Sequence, residues 1–498
     1  MSVISGLMFG LAWPEITNQT WLIFFAFVPL FFILDKLKDQ QWRLMFIFSF
    51  ISFFIWHLIA VYWMIFSTIA GSLSAWIVNS FLMSSVVILS HYSSKRIAWM
   101  PREFILIFYW LCFEILHLFW DLSWPWMNLG HVFANQVNWI QWYEFLGVYG
   151  GGAWVILVNG IIYRLIKNIK SKAFAYKNIL PALLAIFIPI SLSYTILYFS
   201  VSENENEQIE ISLVQPNIDT YTEKFNGLTP LEQSDKIIDL LNRNDIGELI
   251  LLPETAIPKT FDLVSDEYPK SIQNLIDWGS QHQKIILGGF HLKDSLEYNS
   301  ALAIESTSIT ARRNKLKLLP FAEKVPFENW SNLIGKMLSK SGGIQHSLSN
   351  DKEVKVFHLQ AQRKISLGII ICFESAFQDV SAAMAMKGSQ ALLIITNDDW
   401  WEDTPGYKQH FAYARIRAIE TRKSVARSAN TGRSGFIDDF GRVKGFTDYK
   451  KAAVITQKIT INKTLTFFSA HEYALRIMII VMSIFILLFS FTWPSLKR

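Results

Sequence analysis

The stretch Ile477-Met478-Ile479-Ile480-Val481-Met482 lies in a segment, residues 472–492, with no polar face for water. A one-sided helix on a soluble core needs such a face, so this run points to a hydrocarbon surrounding. About 20 apolar residues are needed to cross a bilayer core. Similar segments recur at roughly 3–16, 20–34, 44–66, 71–91, 103–120, 143–163 and 179–200. They lower the charged fraction of the 498 residues to 17%, where a soluble domain carries about 25%. The chain therefore reads as a membrane protein with about seven spans in residues 1–200 and one more at 472–492. The first pair, around Pro14 and Asn18, is either two short helices or a re-entrant segment followed by one span.

The basic residues give the orientation. Lys36, Lys38 and Arg43 follow the second segment, Lys95, Arg96 and Arg102 the fourth, and Arg164, Lys167, Lys170, Lys172 and Lys177 the sixth. Lys497 and Arg498 close the chain, and the alternate loops 17–19, 67–70 and 121–142 contain no Lys or Arg. Positively charged loops stay in the cytoplasm, which puts residues 201–471 outside and 493–498 inside as a short tail. The net charge of +5 then serves orientation and implies no nucleic-acid partner. Trp120, Trp124, Trp126, Trp139 and Trp142, in or beside the external loop, suit an interfacial aromatic belt. Glu114, His117 and Glu144 lie in or beside apolar spans, either lining a lateral entrance or hydrogen-bonding within the helix bundle.

At residues 202–207 the composition turns acidic and polar, and beyond it β-branched runs alternate with helical patterns. Strands are expected at 209–215, 249–253, 284–288, 365–372, 391–396, 435–438 and 452–456, and helices at about 230–243, 269–281, 376–387 and 407–423. Such interleaving predicts a layered α/β domain covered by helices.

Two Cys exclude a disulfide-dense scaffold and a Cys-ligated zinc. Cys112 falls in an apolar span and reads as packing. Cys372 ends an apolar strand ahead of a helical stretch, where a thiol is exposed at the sheet's rim and a helix N-terminus favours its thiolate. His282, His291, His346, His358, His410 and His471 show no metal-ligand spacing, and none follows a strand with a supporting Asp or Asn. Glu254 directly follows the run Leu249-Ile250-Leu251-Leu252-Pro253, and Lys315 lies in a basic stretch after Arg312-Arg313-Asn314. Taken singly, each reads as a solvated charge or an ion pair before it reads as a functional group.

Taken together, these positions carry a family likeness. Leu251-Leu252-Pro253-Glu254-Thr255-Ala256-Ile257-Pro258, then Lys315 with Leu319-Pro320-Phe321-Ala322-Glu323-Lys324-Val325-Pro326, then Cys372-Phe373-Glu374 and Thr396-Asn397-Asp398-Asp399-Trp400-Trp401 resemble the ordered motifs of the carbon–nitrogen hydrolase (nitrilase) superfamily. With the flanking spans, and with Val214-Gln215-Pro216-Asn217-Ile218, Gln409-His410, Arg415-Ile416-Arg417-Ala418-Ile419-Glu420 and Asn430-Thr431-Gly432, the chain is similar throughout to the membrane-anchored apolipoprotein N-acyltransferases of bacteria. The departures are Phe373 where Tyr is common, Phe225 where Trp is expected, and Ala322 in place of Gly.

The resemblance implies an α-helical membrane domain joined to an α-β-β-α sandwich. It implies Cys372 as nucleophile, Glu254 as general base and Lys315 as stabiliser of thiolate and oxyanion. Glu323, Phe373 and Glu374 would support them, the two carboxylates alternatively forming buried ion pairs. Asn397, Trp400, Trp401 and Phe225 are candidate substrate contacts. No cofactor or metal is implied. The partners would be a phospholipid acyl donor, a diacylglyceryl-lipoprotein acceptor and the bilayer itself, the enzyme acting as a monomer in the inner membrane with its catalytic domain periplasmic. A membrane-tethered amidase or hydrolase of small extracytoplasmic C–N substrates would use the same three residues.

Overall fold

The computed structural model describes residues 1–170, 179–200, 207–263, 267–328, 347–360 and 363–496. The linker at 202–206, Lys172, Lys177, His346, Lys497 and Arg498 lie outside the described residues. The chain divides into two compact units. Met1–Ile65, Ile69–Ser200 and His471–Arg498 form the first, and Phe66–Thr68 with Val201–Ala470 the second.

The first unit is helical: α1 (Ser2–Ala12), α2 (Val28–Lys36), α3 (Trp42–Ala60), α4 (Ile69–Arg96), α5 (Arg102–Leu116), α6 (Tyr143–Lys170), α7 (Leu180–Phe199) and, from residue 471 on, α12 (Phe467–Leu496). Among the described residues, five helices are long and apolar enough to cross a membrane: Asp39–Ala60, Ile69–Arg96, Tyr143–Ile169, Leu180–Phe199 and Phe467–Thr492. The first expected pair is built differently. The chain turns extended at Trp13 and takes a left-handed backbone at Glu15 and Asn18. α1 and α2 therefore have 11 and 9 residues, each well short of the roughly 30 Å hydrocarbon thickness at 1.5 Å per residue.

The charged loops of this unit share one face. Asp35, at the end of α2, accepts hydrogen bonds from Arg102, Tyr163 and Lys167. Lys95 pairs with Asp39, and the Arg96 guanidinium lies 5.0 Å from the Phe491 ring centroid near the end of α12. Glu114 is buried, its Oε1 accepting from Trp110 Nε1 at 2.9 Å and from the Leu129 amide at 2.7 Å. Trp120 Nε1 donates to His117 Nδ1 at 2.7 Å. These are bundle hydrogen bonds, the quieter of the two readings. Trp124, Trp126 and Trp142 are buried inside the unit, Trp124 and Trp126 stacking at 5.5 Å, so they pack the bundle and do not form an exposed belt.

The second unit is two sheets faced by helices. One sheet runs β13-β1-β2-β4-β5-β6 with β3 added beside β4, and the other runs β12-β11-β10-β9-β8-β7. In the first are β1 (Gln208–Gln215), β2 (Leu249–Leu251), β3 (Ile257–Phe261), β4 (Ile285–Lys293), β5 (Glu297–Glu305), β6 (Ser308–Asn314) and β13 (Ala453–Thr460). The second holds β7 (Val356–Gln360), β8 (Lys364–Ile371), β9 (Ala391–Thr396), β10 (Val425–Ala429), β11 (Gly435–Ile437) and β12 (Val443–Phe446). Side chains alternate across a strand, and both faces of the central strands are covered. Leu249, Leu251 and Leu287 enter the core between the sheets with Leu367, Ile369, Ile371, Leu393 and Ile395. Ile250, Leu252 and Ile286 pack outward in a cluster with residues of α8 (Pro230–Asn242) and α9 (Lys270–His282). Two-sided burial is why these strands read as unbroken apolar runs. With α10 (Gln378–Met386) and α11 (Pro405–Thr421) on the other sheet, the unit is an α-β-β-α sandwich.

Parallel pairings β1–β2, β2–β4, β8–β9 and β9–β10 bring the C-terminal ends of these strands to one end of their sheets. In open α/β sheets that end carries the chemistry.

Candidate active site

Glu254 leaves β2 through Leu252 and Pro253 and is buried. Its backbone passes so close to β4 that a Cβ on Gly289 would sit 2.6 Å from the Glu254 Cα, which explains a glycine there. Glu254 Oε1 accepts from Lys315 Nζ at 3.0 Å and Asn299 Nδ2 at 2.8 Å, and Oε2 accepts from the Asn397 amide at 3.1 Å. Lys315 directly follows β6. Its ammonium also reaches Glu323 Oε1 at 2.8 Å, while Glu323 Oε2 accepts from the Leu319 amide at 2.9 Å. Glu323 thus fixes the lysine from behind.

Cys372 follows β8 with φ at 51°, a left-handed conformation that costs a non-glycine residue energy. The turn brings the thiol close enough to the Glu254 carboxylate and the Lys315 ammonium for both charges to act on it. The helical turn after it is short, Cys372–Ala376, and α10 starts only at Gln378, so the thiol does not sit on a long helix's N-terminus. Glu374 is a clamp. It forms a two-pronged ion pair with Arg313 of β6 (2.7 and 2.8 Å) and accepts the Ile371 and Leu316 amides. The strand end bearing Lys315 and the turn bearing Cys372 are thereby tied through one buried carboxylate, which holds the Lys315–Leu316 peptide and leaves the ammonium to Glu254 and Glu323. Phe373 is buried edge-on to Phe377.

The electrostatics set the resting protonation. Burial raises the Glu254 carboxyl, but the Lys315 charge and the hydrogen bonds from Asn299 and Lys315 outweigh it and leave it below its ordinary value. Burial opposes the Lys315 charge, but Glu254 and Glu323 hold the ammonium well above its ordinary value. Cys372 is only partly buried as a residue, yet burial of its sulfur and the neighbouring Glu254 charge push the thiol far up despite Lys315. The resting site is a carboxylate, an ammonium and a neutral thiol. Such a set can deprotonate the sulfur as it attacks an acyl carbon and can stabilise the oxyanion that forms.

Residues 211–465 match the carbon–nitrogen hydrolase family, just over half of the chain. The chain belongs to the carbon–nitrogen hydrolase family. Residues 5–161 match the apolipoprotein N-acyltransferase N-terminal domain. The apolipoprotein N-acyltransferase of Chlorobaculum tepidum is 27% identical, the match covering 95% of this chain and 92% of that protein. Its namesake in Geobacter metallireducens is 26% identical over 95% and 91% of the two chains, and that of Thermotoga maritima 23% identical over 98% and 93%.

For this member of the family the remaining candidates fall in three places. Asn397 belongs at the centre: its amide holds Glu254 and its side-chain oxygen accepts from Asn430 Nδ2 at 3.1 Å. Trp400 and Phe225 are together at the rim, rings 6.3 Å apart and near parallel, with Tyr221 edge-on to Trp400 at 5.7 Å. Phe225 and Tyr221 are about half exposed. Trp401 points the other way, buried against His410 with ring centroids 5.5 Å apart. It packs the interior and does not line an acyl-binding rim.

Sequence reasoning missed three participants. Asn299 bridges Glu254 and Glu323 through one Nδ2, at 2.8 and 2.9 Å. Lys224 is buried beneath the rim, its Nζ donating to the Glu254 carbonyl oxygen at 3.3 Å, and burial lowers its pKa to about 8 against the pull of Glu254 and Asp399. His410, for which the sequence showed no supporting acid, is buried with Nδ1 2.9 Å from Asp398. The clue was present in Asp398, two residues past β9, and in His410 on α11, but only the fold brings them together.

A pH dependence follows. With Glu254 as the base for Cys372, the assignment proposed below, acylation slows on acidification only below about pH 4.5, as the lowered carboxyl takes up a proton. Because the thiol stays neutral, no rise centred on the ordinary thiol value of about 8.5 is expected. Initial rates of acyl-enzyme formation from pH 4 to 9, at fixed lipid presentation, test this. An alkaline rise near 8.5 would mean that a pre-formed thiolate is the nucleophile.

Proposed function

We propose that the protein transfers an acyl chain from a membrane phospholipid, through a thioester on Cys372, to the α-amine of the diacylglyceryl-cysteine at the N-terminus of bacterial lipoproteins. The observation that carries this reading is the convergence of Glu254, Lys315 and Cys372 in a chain that also has membrane-crossing helices. A soluble amidase needs no such helices. Two substrates anchored in a leaflet make them useful, because they hold the site near the ester and the amine. The charged face shared by Asp35, Arg102, Lys167 and Arg96 supports a cytoplasmic assignment for that end of the first unit. The catalytic unit, residues 201–471, is then periplasmic, set between the helices of residues 1–200 and the last membrane-crossing helix, with a short cytoplasmic tail. We take the enzyme to act as a monomer.

In the first half-reaction the Cys372 sulfur bonds to an ester carbonyl carbon while its proton passes to Glu254. Lys315 and the Phe373 N–H face the developing oxyanion. Collapse breaks the ester C–O bond, Glu254 returns the proton to the departing oxygen, and lysophospholipid leaves. In the second half-reaction the neutral α-amine adds to the thioester carbon and gives a proton to Glu254. Collapse breaks the C–S bond, the amide forms, and the sulfur recovers its proton. Separation into two steps is the usual gain of a covalent intermediate. Trp400, Phe225 and Tyr221 offer an apolar rim for the entering acyl chain.

The test supplies purified protein with phospholipid and a diacylglyceryl-cysteine peptide and weighs the peptide by mass spectrometry. A gain of one acyl chain, with equimolar lysophospholipid, is the expected result. Ammonia release from small amides without that gain would assign the site to hydrolysis instead.

A further inference from the structure

Behind the nucleophile runs a buried polar chain that the steps above do not use. Arg427 Nη2 of β10 donates to Asp398 Oδ2 at 2.7 Å, Asp398 Oδ1 lies 2.9 Å from His410 Nδ1, and His410 Nε2 lies 3.0 Å from the carbonyl oxygen of Cys372. Arg427, Asp398 and His410 are each 0% exposed. The packing around the carboxylate is tight: a Cβ on Gly432 would come within 2.4 Å of Asp398 Oδ2. The Arg427 and His410 charges and hydrogen bonds overcome burial and hold the Asp398 carboxyl far below its ordinary value.

His410 Nε2 faces two oxygens, the Cys372 carbonyl at 3.0 Å and the Ser375 hydroxyl at 2.7 Å. A carbonyl oxygen only accepts, so the contact with Cys372 is a hydrogen bond in the ring forms that carry a hydrogen on Nε2, which is then shared with the Ser375 oxygen. The Ser375 hydroxyl in turn donates to the same carbonyl oxygen at 2.9 Å. With Nε2 protonated, two donors converge on one carbonyl. That carbonyl and the N–H of Phe373 are opposite ends of a single planar peptide. Drawing electron density toward the oxygen makes the N–H at the other end a stronger donor, and holding the oxygen fixes the plane in which the N–H points.

We propose that His410 is a positioning residue for acyl transfer, acting through the Cys372–Phe373 peptide: its Nε2–H orients and polarises that peptide so that the Phe373 N–H meets the oxyanion of both tetrahedral intermediates. The inference rests on the acyl-transfer reading. Arg427 and Asp398 hold the ring in place, and Asp398 keeps Arg427 and the Thr396 hydroxyl (2.8 Å) as partners when the imidazole is removed.

The experiment compares two reactions of the same sulfur in the full-length protein. Thioester formation from a fluorescent phospholipid passes through an oxyanion, whereas alkylation of Cys372 by iodoacetamide, mapped by peptide mass, does not. His410→Phe should lower kcat for thioester formation about 10- to 100-fold, with KM little changed, since a full oxyanion donor is worth roughly 100- to 1,000-fold. Alkylation should stay within about twofold, and His410→Gln, whose amide can donate to the same carbonyl, should recover most of the rate. If alkylation falls in step with acylation, the ring merely supports the turn and the proposal is wrong. It is equally wrong if His410→Phe acylates at the normal rate. Should His410→Phe not fold, the pair His410→Gln and His410→Asn decides, the shorter amide being expected to lose the rate while leaving alkylation intact. A wild-type protein that alkylates but forms no thioester would instead fault the acyl-transfer reading.

Discussion

Cys372→Ser should form no detectable acyl-enzyme, and Glu254→Gln should slow acylation by about 100- to 10,000-fold, equivalent to about 3–5 kcal/mol of barrier. The first effect follows from what Glu254 is. Its carboxylate is held below its ordinary value by Lys315 and Asn299, so in the proposed mechanism it is a weak base that removes a proton only as the nucleophile attacks. A buried thiol is within its range; a serine hydroxyl, several pKa units more basic, is not. In Glu254→Gln the proton has nowhere to go. The amide oxygen can still accept from Lys315 and Asn299, which donate to one atom of Glu254. Its NH2 group then faces the Asn397 amide, which donates to the other. That donor–donor contact costs about 1–3 kcal/mol of stability, and Lys315 keeps Glu323 at 2.8 Å. The variant should therefore fold, bind phospholipid and stall. Intact-mass detection of the thioester, with thermal unfolding as the folding control, checks both statements. A Glu254→Gln protein that acylates at the wild-type rate would remove Glu254 as the base.

The same electrostatics explain which parts of the site can be read from a sequence. Glu254, Lys315 and Cys372 each stand at the end of a strand, and β2 and β8 are apolar on both faces, so their ends show as abrupt changes in composition. Asn299, Lys224 and His410 carry no such mark. Asn299 sits inside β5 (Glu297–Glu305), whose Asn and Ser interrupt the alternation that signals a strand. β10 was equally hidden, because Val425-Ala426-Arg427-Ser428-Ala429 looks too polar to be central. It is buried throughout because Asp398 meets the Arg427 charge. His410 lies 12 residues beyond Asp398 in sequence, on the helix that follows β9, so no local pattern marks the pair. In the membrane unit the apolar runs were plain, yet hydropathy alone could not tell a crossing from the short α1 and α2. The left-handed residues Glu15 and Asn18 that break them leave no hydropathy signal.

Glu374→Ala should destabilise the catalytic unit more than any substitution at the three reacting residues. Arg313 and Glu374 are both 0% exposed and joined by hydrogen bonds of 2.7 and 2.8 Å. Removing the carboxylate leaves a guanidinium in the interior with its charge uncompensated, a loss of about 3–5 kcal/mol. The Ile371 and Leu316 amides also lose their acceptor, at about 1–3 kcal/mol for each buried group left unpaired. For a unit of this size each kcal/mol moves the unfolding midpoint by about 2–4 °C, so a fall on the order of 10 °C or more is expected. Arg313→Met combined with Glu374→Gln should recover a good part of it, since no charge is then stranded and the glutamine oxygen can still accept a backbone amide. The recovered protein should nevertheless acylate slowly. The carboxylate joins the end of β6 to the Cys372 turn, and without it Lys315 and the thiol are no longer held in register. Thermal unfolding of the detergent-solubilised protein gives the first quantity and thioester formation the second. A Glu374→Ala midpoint within about 2 °C of wild type, less than a single kcal/mol, would show that the ion pair does not clamp the two strand ends. Full activity in the double variant would show that the clamp stabilises the fold without positioning the chemistry.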